Sequence, residues 1–228
     1  MPIPFFAVGA AATAVATGVI SLYRKRKSRP PNEPIELGSF AIWGRQNAGK
    51  TTFIKQILNQ SISSEKVGTM AKEVYEKIPE KQVDGKTFKI NRITDMPGSK
   101  DRKDDWLKLF STHDHVFYII NVAFRPDKKS KQIAAALSDL EDAAQEALKS
   151  ENSRKSINII ASHIDKSEWA SLERSEINNK LQEDPFFREI LEELKRKGVA
   201  GYLYSADLTD KSSFDYLIES IIKDCHYD

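Results

Sequence analysis

Residues 44–51 are Gly-Arg-Gln-Asn-Ala-Gly-Lys-Thr, and this stretch decides how the rest of the chain is interpreted. It fits the pattern G-x-x-x-x-G-K-[ST], follows the apolar run Ile35–Trp43 and precedes a helical pattern over Lys50–Asn59. Its glycines let backbone N–H groups turn toward phosphate oxygens, and the helix N-terminus adds positive potential. The sequence therefore predicts a phosphate-binding loop, in which Lys50 neutralises phosphate charge and Thr51 ligates Mg²⁺.

Apolar strands and helical patterns alternate after this loop. We expect a hairpin of two antiparallel strands joined at Asp84-Gly85. The expected strands are Ile35–Trp43, Ala71–Ile78, Thr87–Thr94, Val116–Val122, Ile157–Ala161 and Val199–Tyr204, and the later helical patterns are Asp127–Ser150, Phe186–Lys197 and Phe214–Asp224. These six strands with interleaved helices predict a three-layer α/β domain over residues 35–228, with a mostly parallel sheet and one antiparallel strand.

The N-terminus carries an apolar stretch of its own. Ile3–Leu22 is twenty uncharged residues, which is long enough to span a membrane, and a basic cluster over Arg24–Arg29 follows it. We therefore predict a transmembrane anchor over residues 1–23 and a basic, proline-rich linker over residues 24–34. Because the basic cluster follows the apolar run, a single-pass protein with its folded domain facing the cytoplasm is favoured. A helix that binds a hydrophobic partner and a removed leader are the alternatives.

Composition excludes several classes of protein. The 228 residues suffice for one full domain, and the single cysteine, Cys225, excludes an internal disulfide scaffold. The formal net charge is +2, but setting aside the five basic residues of Arg24–Arg29 leaves 30 basic against 33 acidic side chains. A nucleic-acid-binding domain would carry basic charge over its folded surface, so we expect no nucleic-acid partner.

Three further motifs follow predicted strands. Asp95-Met96-Pro97-Gly98 places a carboxylate at a strand end, where it can hold the Mg²⁺ shell, and a glycine N–H that can meet the γ-phosphate. Ser162-His163-Ile164-Asp165 and Ser205-Ala206-Asp207 close two other strands. All three lie where open α/β sheets bind ligands, at the carboxyl ends of strands. His113 and His115 lack a third metal ligand nearby in sequence, so we interpret them as ordinary loop histidines.

With these motifs in this order, the chain resembles the translation-factor-related GTPases, the class of Ras, Arf and Era-like G domains, over about residues 36–228. The resemblance implies a switch that binds GTP or GDP with Mg²⁺. It makes Thr51, Asp95 and the first-switch Thr69 the metal-binding residues. The implied nucleotide-binding set is Gly44, Arg45, Gln46, Asn47, Ala48, Gly49, Lys50, Thr51, Thr52, Thr69, Gly98, Ser162, His163, Asp165, Ser205 and Ala206. Ser61, Ser63 and Ser64 compete with Thr69 for its role, and the other alternative is that Thr69 is a plain loop residue.

The chain departs from the family pattern in the base-reading motif. The family has Asn/Thr-Lys-x-Asp, whereas this chain has His163 at the position of the lysine whose aliphatic stem covers the base. Asp165 can still accept hydrogen bonds from guanine, and an imidazole can stack on a base. Guanine remains the expected base, with weaker affinity or selectivity. A solvated His163 without base contact is the alternative.

A second departure concerns catalysis. Ras-like proteins place a water-orienting glutamine after the D-x-x-G glycine, whereas this chain has the shorter Ser99, so intrinsic hydrolysis should be slow. Asn47 resembles the asparagine with which Era-like, cation-stimulated GTPases hold K⁺, although asparagine also caps such turns. Lys50, Asn47 and Ser99 are therefore the catalytic candidates.

The sequence thus predicts a membrane-anchored small GTPase, with an effector or activating protein as partner. The alternatives are a pseudo-GTPase or membrane tether that binds nucleotide without significant hydrolysis, and an ATP-using phosphate-loop enzyme.

Overall fold

The computed structural model describes residues 33–62, 71–98, 103–123, 131–149 and 156–227. Within these ranges seven strands form one sheet. The strands are β1 (Ile35–Trp43), β2 (Glu73–Tyr75), β3 (Lys81–Val83), β4 (Lys86–Asp95), β5 (His115–Asn121), β6 (Ser156–Ser162) and β7 (Ala200–Ala206). The helices are α1 (Lys50–Ile57), α2 (Lys103–Leu107), α3 (Leu109–Thr112), α4 (Lys131–Lys149), α5 (Arg174–Glu183), α6 (Pro185–Arg196) and α7 (Lys211–Tyr227).

The sheet is mostly parallel, as predicted. Its order is β2-β4-β1-β5-β6-β7, and all neighbours from β4 to β7 run parallel. Both β2 and β3 pair antiparallel with β4. The predicted strand Ala71–Ile78 is present in shorter form as β2, but β3 was not predicted, so the count of six strands is wrong. Pro79 cannot donate a ladder hydrogen bond, and two short strands stand on either side of it.

The sheet separates two apolar layers, which confirms the three-layer arrangement. Side chains alternate along β1, so that Phe40 and Ile42 face one layer while Ala41 and Trp43 face the other. Helices α1 and α7 cover the Phe40 layer, and α2 to α6 cover the Trp43 layer. Because both faces are buried, the central strands are continuous apolar runs.

The expected turn at Asp84-Gly85 is confirmed, but the strand that it joins to β4 is β3 and not the predicted strand Ala71–Ile78. Asp84 and Gly85 join β3 to β4 with positive φ angles of 50° and 73°, which is the backbone of a tight two-residue hairpin turn. The 3₁₀ turn Ile164–Lys166 and helix α5 were not predicted.

The predicted anchor over residues 1–23 lies outside the described residues, and so do residues 24–32 of the predicted linker. Across the ranges that the structure does describe, no helix is both long and apolar enough to cross a membrane.

Candidate nucleotide-binding site

The Gly44–Thr51 loop connects the end of β1 to the start of α1, as the motif predicts. Gly49 is the N-cap of α1 with φ of 97°, a left-handed backbone that favours glycine. The first turn of α1 carries no acidic side chain, so nothing there opposes an anion at the helix N-terminus. The loop therefore has the backbone course and the electrostatics that phosphate binding needs.

Lys50 is the buried cation of this loop. Its side chain is buried in the wall of the site, and its ammonium donates a hydrogen bond to the Arg45 carbonyl at 3.1 Å. Burial lowers the pKa of Lys50, and the charge of the nearby Asp95 carboxylate partly offsets that effect. A partly desolvated ammonium interacts strongly with an anion, because the local dielectric constant is low.

Asp95 is the candidate metal ligand at the end of β4. Only 1% of its surface is exposed, and it lies in register with Ile42 on β1, two residues before the loop begins. Thr51 lies in the first turn of α1. One carboxylate and one hydroxyl beside a phosphate site suit Mg²⁺, which prefers oxygen ligands and commonly combines one or two carboxylates with substrate phosphates. The third predicted ligand, Thr69, lies outside the described residues.

The D-x-x-G segment packs directly on the loop. A Cβ atom built on Gly98 would lie 2.6 Å from the backbone nitrogen of Gln46 and 2.9 Å from its Cα. Only glycine allows this approach of two backbones. On the other side, the indole of Trp106 donates to the Pro97 carbonyl at 2.9 Å. Ser99, which follows Gly98, lies outside the described residues.

Ser162 ties the base-reading motif to the loop. Its hydroxyl is fully buried and lies 2.7 Å from the Ala48 carbonyl oxygen and 3.0 Å from that of Ile120. It therefore joins β5, β6 and the phosphate loop, and its hydroxyl serves the protein framework. Asp165, two residues into the 3₁₀ turn, remains partly open to solvent with a side-chain exposure of 33%.

His163 packs against the loop. It has a left-handed backbone, with φ of 60°, and its ring Nδ1 lies 3.1 Å from the Ser162 hydroxyl. Its Cε1 lies 3.6 Å from a Cβ built on Gly49, and the Leu208 side chain lies 2.8 Å from the same point. This position between the loop and the base-reading strand is where a ring could contact a nucleotide.

The last motif lies beside the base-reading motif. Ala206 ends β7 in register with Ser162 on β6, and it is buried. The Ser205 hydroxyl donates to the side-chain oxygen of Asn178 on α5 at 2.9 Å. This bond fixes the end of β7 to helix α5, which sequence patterns did not predict.

Arg45 turns away from the loop. Its guanidinium donates to Asp139 on α4 at 2.5 Å, lies 5.5 Å from the ring centre of Trp106, and leaves 19% of the side chain exposed. The Tyr118 hydroxyl donates to the other carboxylate oxygen of Asp139 at 2.9 Å. The Arg45 side chain is therefore directed away from the predicted nucleotide site, and only the backbone of Arg45 belongs to the loop.

The other loop residues divide by exposure. Gln46 and Asn47 are exposed, Ala48 is buried, and Thr52 is half-buried in the first turn of α1. Asn47 adopts a positive φ of 61°, and the side chain of Asn121 donates to its carbonyl at 3.1 Å. The catalytic roles of Asn47 and Lys50 stay predictions.

His113 and His115 are both buried, so neither is the ordinary loop histidine that the sequence predicted. His113 is buried between the Thr94 and Thr112 hydroxyls, at 2.8 and 2.9 Å. Burial lowers its pKa to about 4, so it is neutral at physiological pH. His115 is the buried first residue of β5 and packs on Phe40. Among the described residues, no group of three or more His, Cys, Asp or Glu side chains could hold a metal ion.

Fold and site together define a phosphate-loop nucleotide-binding domain with an Asp-x-x-Gly segment beside the loop. The family model described as 50S ribosome-binding GTPase matches residues 39–186, which is more than half of the chain. The chain belongs to this family of GTPases. Ser205 and Ala206 lie beyond the matched range, on a strand of the same sheet. The closer relation to Ras, Arf or Era-like proteins stays a prediction.

Proposed function

We propose that this protein is a membrane-anchored molecular switch that binds GTP and GDP with Mg²⁺ and hydrolyses GTP slowly. The observation that carries the proposal is the meeting of three separate segments on the phosphate loop. Gly98 abuts Gln46, Ser162 contacts the Ala48 carbonyl, and His163 and Leu208 flank Gly49. Segments far apart in sequence thus surround the end of α1 that attracts anions.

Each motif has a distinct task in the proposal. The loop N–H groups and Lys50 bind the phosphates, and Thr51, Thr69 and Asp95 would hold Mg²⁺. The metal would neutralise charge that develops on the phosphate oxygens. Asp165 would accept hydrogen bonds from the guanine edge, a donor pattern that adenine lacks. His163 and the backbone of Ser205-Ala206 would complete the base pocket.

Hydrolysis is the step on which the main alternative differs. A pseudo-GTPase or tether would bind the nucleotide without cleaving it, and the short Ser99 favours that alternative. Arg45 cannot serve as an internal arginine finger in the described arrangement, because Asp139 and Trp106 engage its guanidinium. Slow turnover, accelerated by K⁺ held near Asn47 or by a protein partner, is therefore the behaviour that we propose.

The test is phosphate release from GTP by the full chain. We expect slow, Mg²⁺-dependent release that Lys50→Ala abolishes, since Lys50 is the buried cation of the loop. If the chain binds GTP but cleaves it in neither KCl nor NaCl, the pseudo-GTPase alternative is correct and the proposed switch is wrong. Cleavage of ATP at the same rate would overturn the guanine assignment.

Location and partners belong to the same proposal. Residues 1–23 would anchor the chain in a membrane as a single-pass helix, and the basic residues 24–29 would keep the folded domain on the cytoplasmic side. An effector or activating protein would then recognise the nucleotide state.

A further inference from the structure

We propose that Gln46 orients the attacking water in GTP hydrolysis, in place of the glutamine that the chain lacks after Gly98. This inference rests on the proposed function, and it names a residue that positions the water for the cleavage step. It starts from the close approach of Gly98 to the backbone of Gln46.

That contact locates Gln46 at the catalytic end of the loop. The N–H of Gly98 is the group assigned to the γ-phosphate, and the attacking water must lie on the far side of that phosphate. A Cβ on Gly98 would lie within 3 Å of both the nitrogen and the Cα of Gln46. Gln46 is therefore the loop residue nearest to Gly98, the glycine after which Ras-like proteins carry their water-orienting side chain.

Elimination among the loop side chains leads to the same residue. Arg45 is bound to Asp139, Ala48 is buried and has no polar group, and Lys50 donates to the Arg45 carbonyl. Gln46 and Asn47 are the two exposed polar side chains of the loop. Asn47 is one methylene shorter and adjoins Asn121, whereas Gln46 adjoins Gly98.

The backbone on both sides of Gln46 is fixed. Arg45 is held by the pair of Asp139 and Trp106, and the Asn47 carbonyl accepts a hydrogen bond from Asn121. Asp139 is itself buried and is held by the Tyr118 hydroxyl. A supported backbone limits the region that the Gln46 carboxamide can reach, which lowers the reorganisation that the reaction needs.

The carboxamide has the chemistry for the step. Its oxygen accepts a hydrogen bond from the water, and its NH₂ group donates to a γ-phosphate oxygen. The water oxygen forms a bond to the γ-phosphorus, the bond from that phosphorus to the bridging oxygen breaks, and GDP leaves with the electron pair. The proton of the water passes to a γ-phosphate oxygen. The amide orients the water and ends the step unchanged.

The experiment compares Gln46→Ala with Gln60→Ala in the full chain, in KCl and Mg²⁺. Gln60 is an exposed glutamine just beyond α1 and away from the loop, so it is the matched control. We expect Gln46→Ala to lower single-turnover GTP cleavage at least about 10-fold, with GTP and GDP affinities within about 2-fold of wild type. Binding of GDP with aluminium fluoride, which mimics the transition state, should weaken in parallel.

The outcomes separate this inference from the proposed function. Wild-type cleavage by Gln46→Ala, or a loss of GTP affinity that equals the loss of rate, would overturn the catalytic role. A wild-type chain that binds GTP but never cleaves it would also overturn that role, while leaving nucleotide binding intact. A chain that binds no guanine nucleotide would overturn the proposed function itself.

Discussion

Lys50→Met should separate the stability of the protein from its function. Methionine retains most of the side-chain length but removes the charge. Because burial lowers the pKa of Lys50 below its ordinary value of 10.5, the charged form is disfavoured in the ligand-free fold. The variant should therefore be at least as stable as wild type without nucleotide, even though the Asp95 carboxylate loses a nearby cation.

The effect of ligand should be reversed. At a GTP concentration 100 times the Kd, binding adds about 2.7 kcal/mol to stability, which raises the Tm of a chain of this size by roughly 5–10 °C. We expect this rise in wild type and its absence in Lys50→Met, because the variant cannot neutralise phosphate charge. Thermal unfolding with and without GTP and Mg²⁺ measures both quantities. Lys55→Met, in the last turn of the same helix, is the control that keeps the rise.

The pH dependence gives an independent check. The cost of burying charged Lys50 is fully present below its lowered pKa in the fold. It is relieved as pH rises from that value toward 10.5, the ordinary value that the unfolded chain retains. The ligand-free wild type should therefore gain stability relative to Lys50→Met over that range. A GTP-dependent rise in Tm for Lys50→Met, or a ligand-free variant several degrees less stable than wild type, would refute the reasoning.

Three further predictions concern the loop, the cation and the N-terminus. Ser162→Ala removes a buried hydroxyl from the Ala48 and Ile120 carbonyls. Thermal unfolding should show that the free energy of unfolding falls by about 1–3 kcal/mol, and GTP binding should weaken. Unchanged stability would contradict a structural role of this hydroxyl. Phosphate release should be faster in KCl than in NaCl at equal ionic strength, and Asn47→Ala should remove the difference; equal rates in both salts would exclude K⁺. The full chain should fractionate with membranes and resist carbonate, whereas a chain lacking residues 1–29 should be soluble; release by high salt would indicate peripheral attachment through the basic cluster.

Local patterns predicted the centre of the site. The phosphate loop is specified by neighbours in sequence, and the strand before it and helix after it follow from apolar periodicity. The position of the Asp84-Gly85 turn was predictable for the same reason. Pro79 could have indicated the break between β2 and β3, since proline lacks the ladder N–H.

Features that depend on distant residues were not predictable. The Arg45 side chain points away from the loop because it binds Asp139 on α4, which is 94 residues away in sequence. The Tyr118 hydroxyl in turn donates to the Asp139 carboxylate. Helix α5 buries only Ile177 and Leu181, so its apolar pattern is weak, and its capping box begins with Glu173 instead of the usual Ser or Thr. Side-chain partners across the sheet arise only when the whole chain folds.

Asp165 is the residue that we propose makes this a guanine-specific site, and nucleotide selectivity tests that role most directly. Equilibrium binding of GTP, ATP and xanthosine triphosphate should be measured on the full chain and on Asp165→Asn, each with Mg²⁺. We expect wild type to bind GTP at least about 100-fold more tightly than ATP, and the variant to prefer xanthosine triphosphate, since an amide donates where a carboxylate only accepts. Equal binding of GTP and ATP by wild type, or unchanged GTP preference in the variant, would contradict the account.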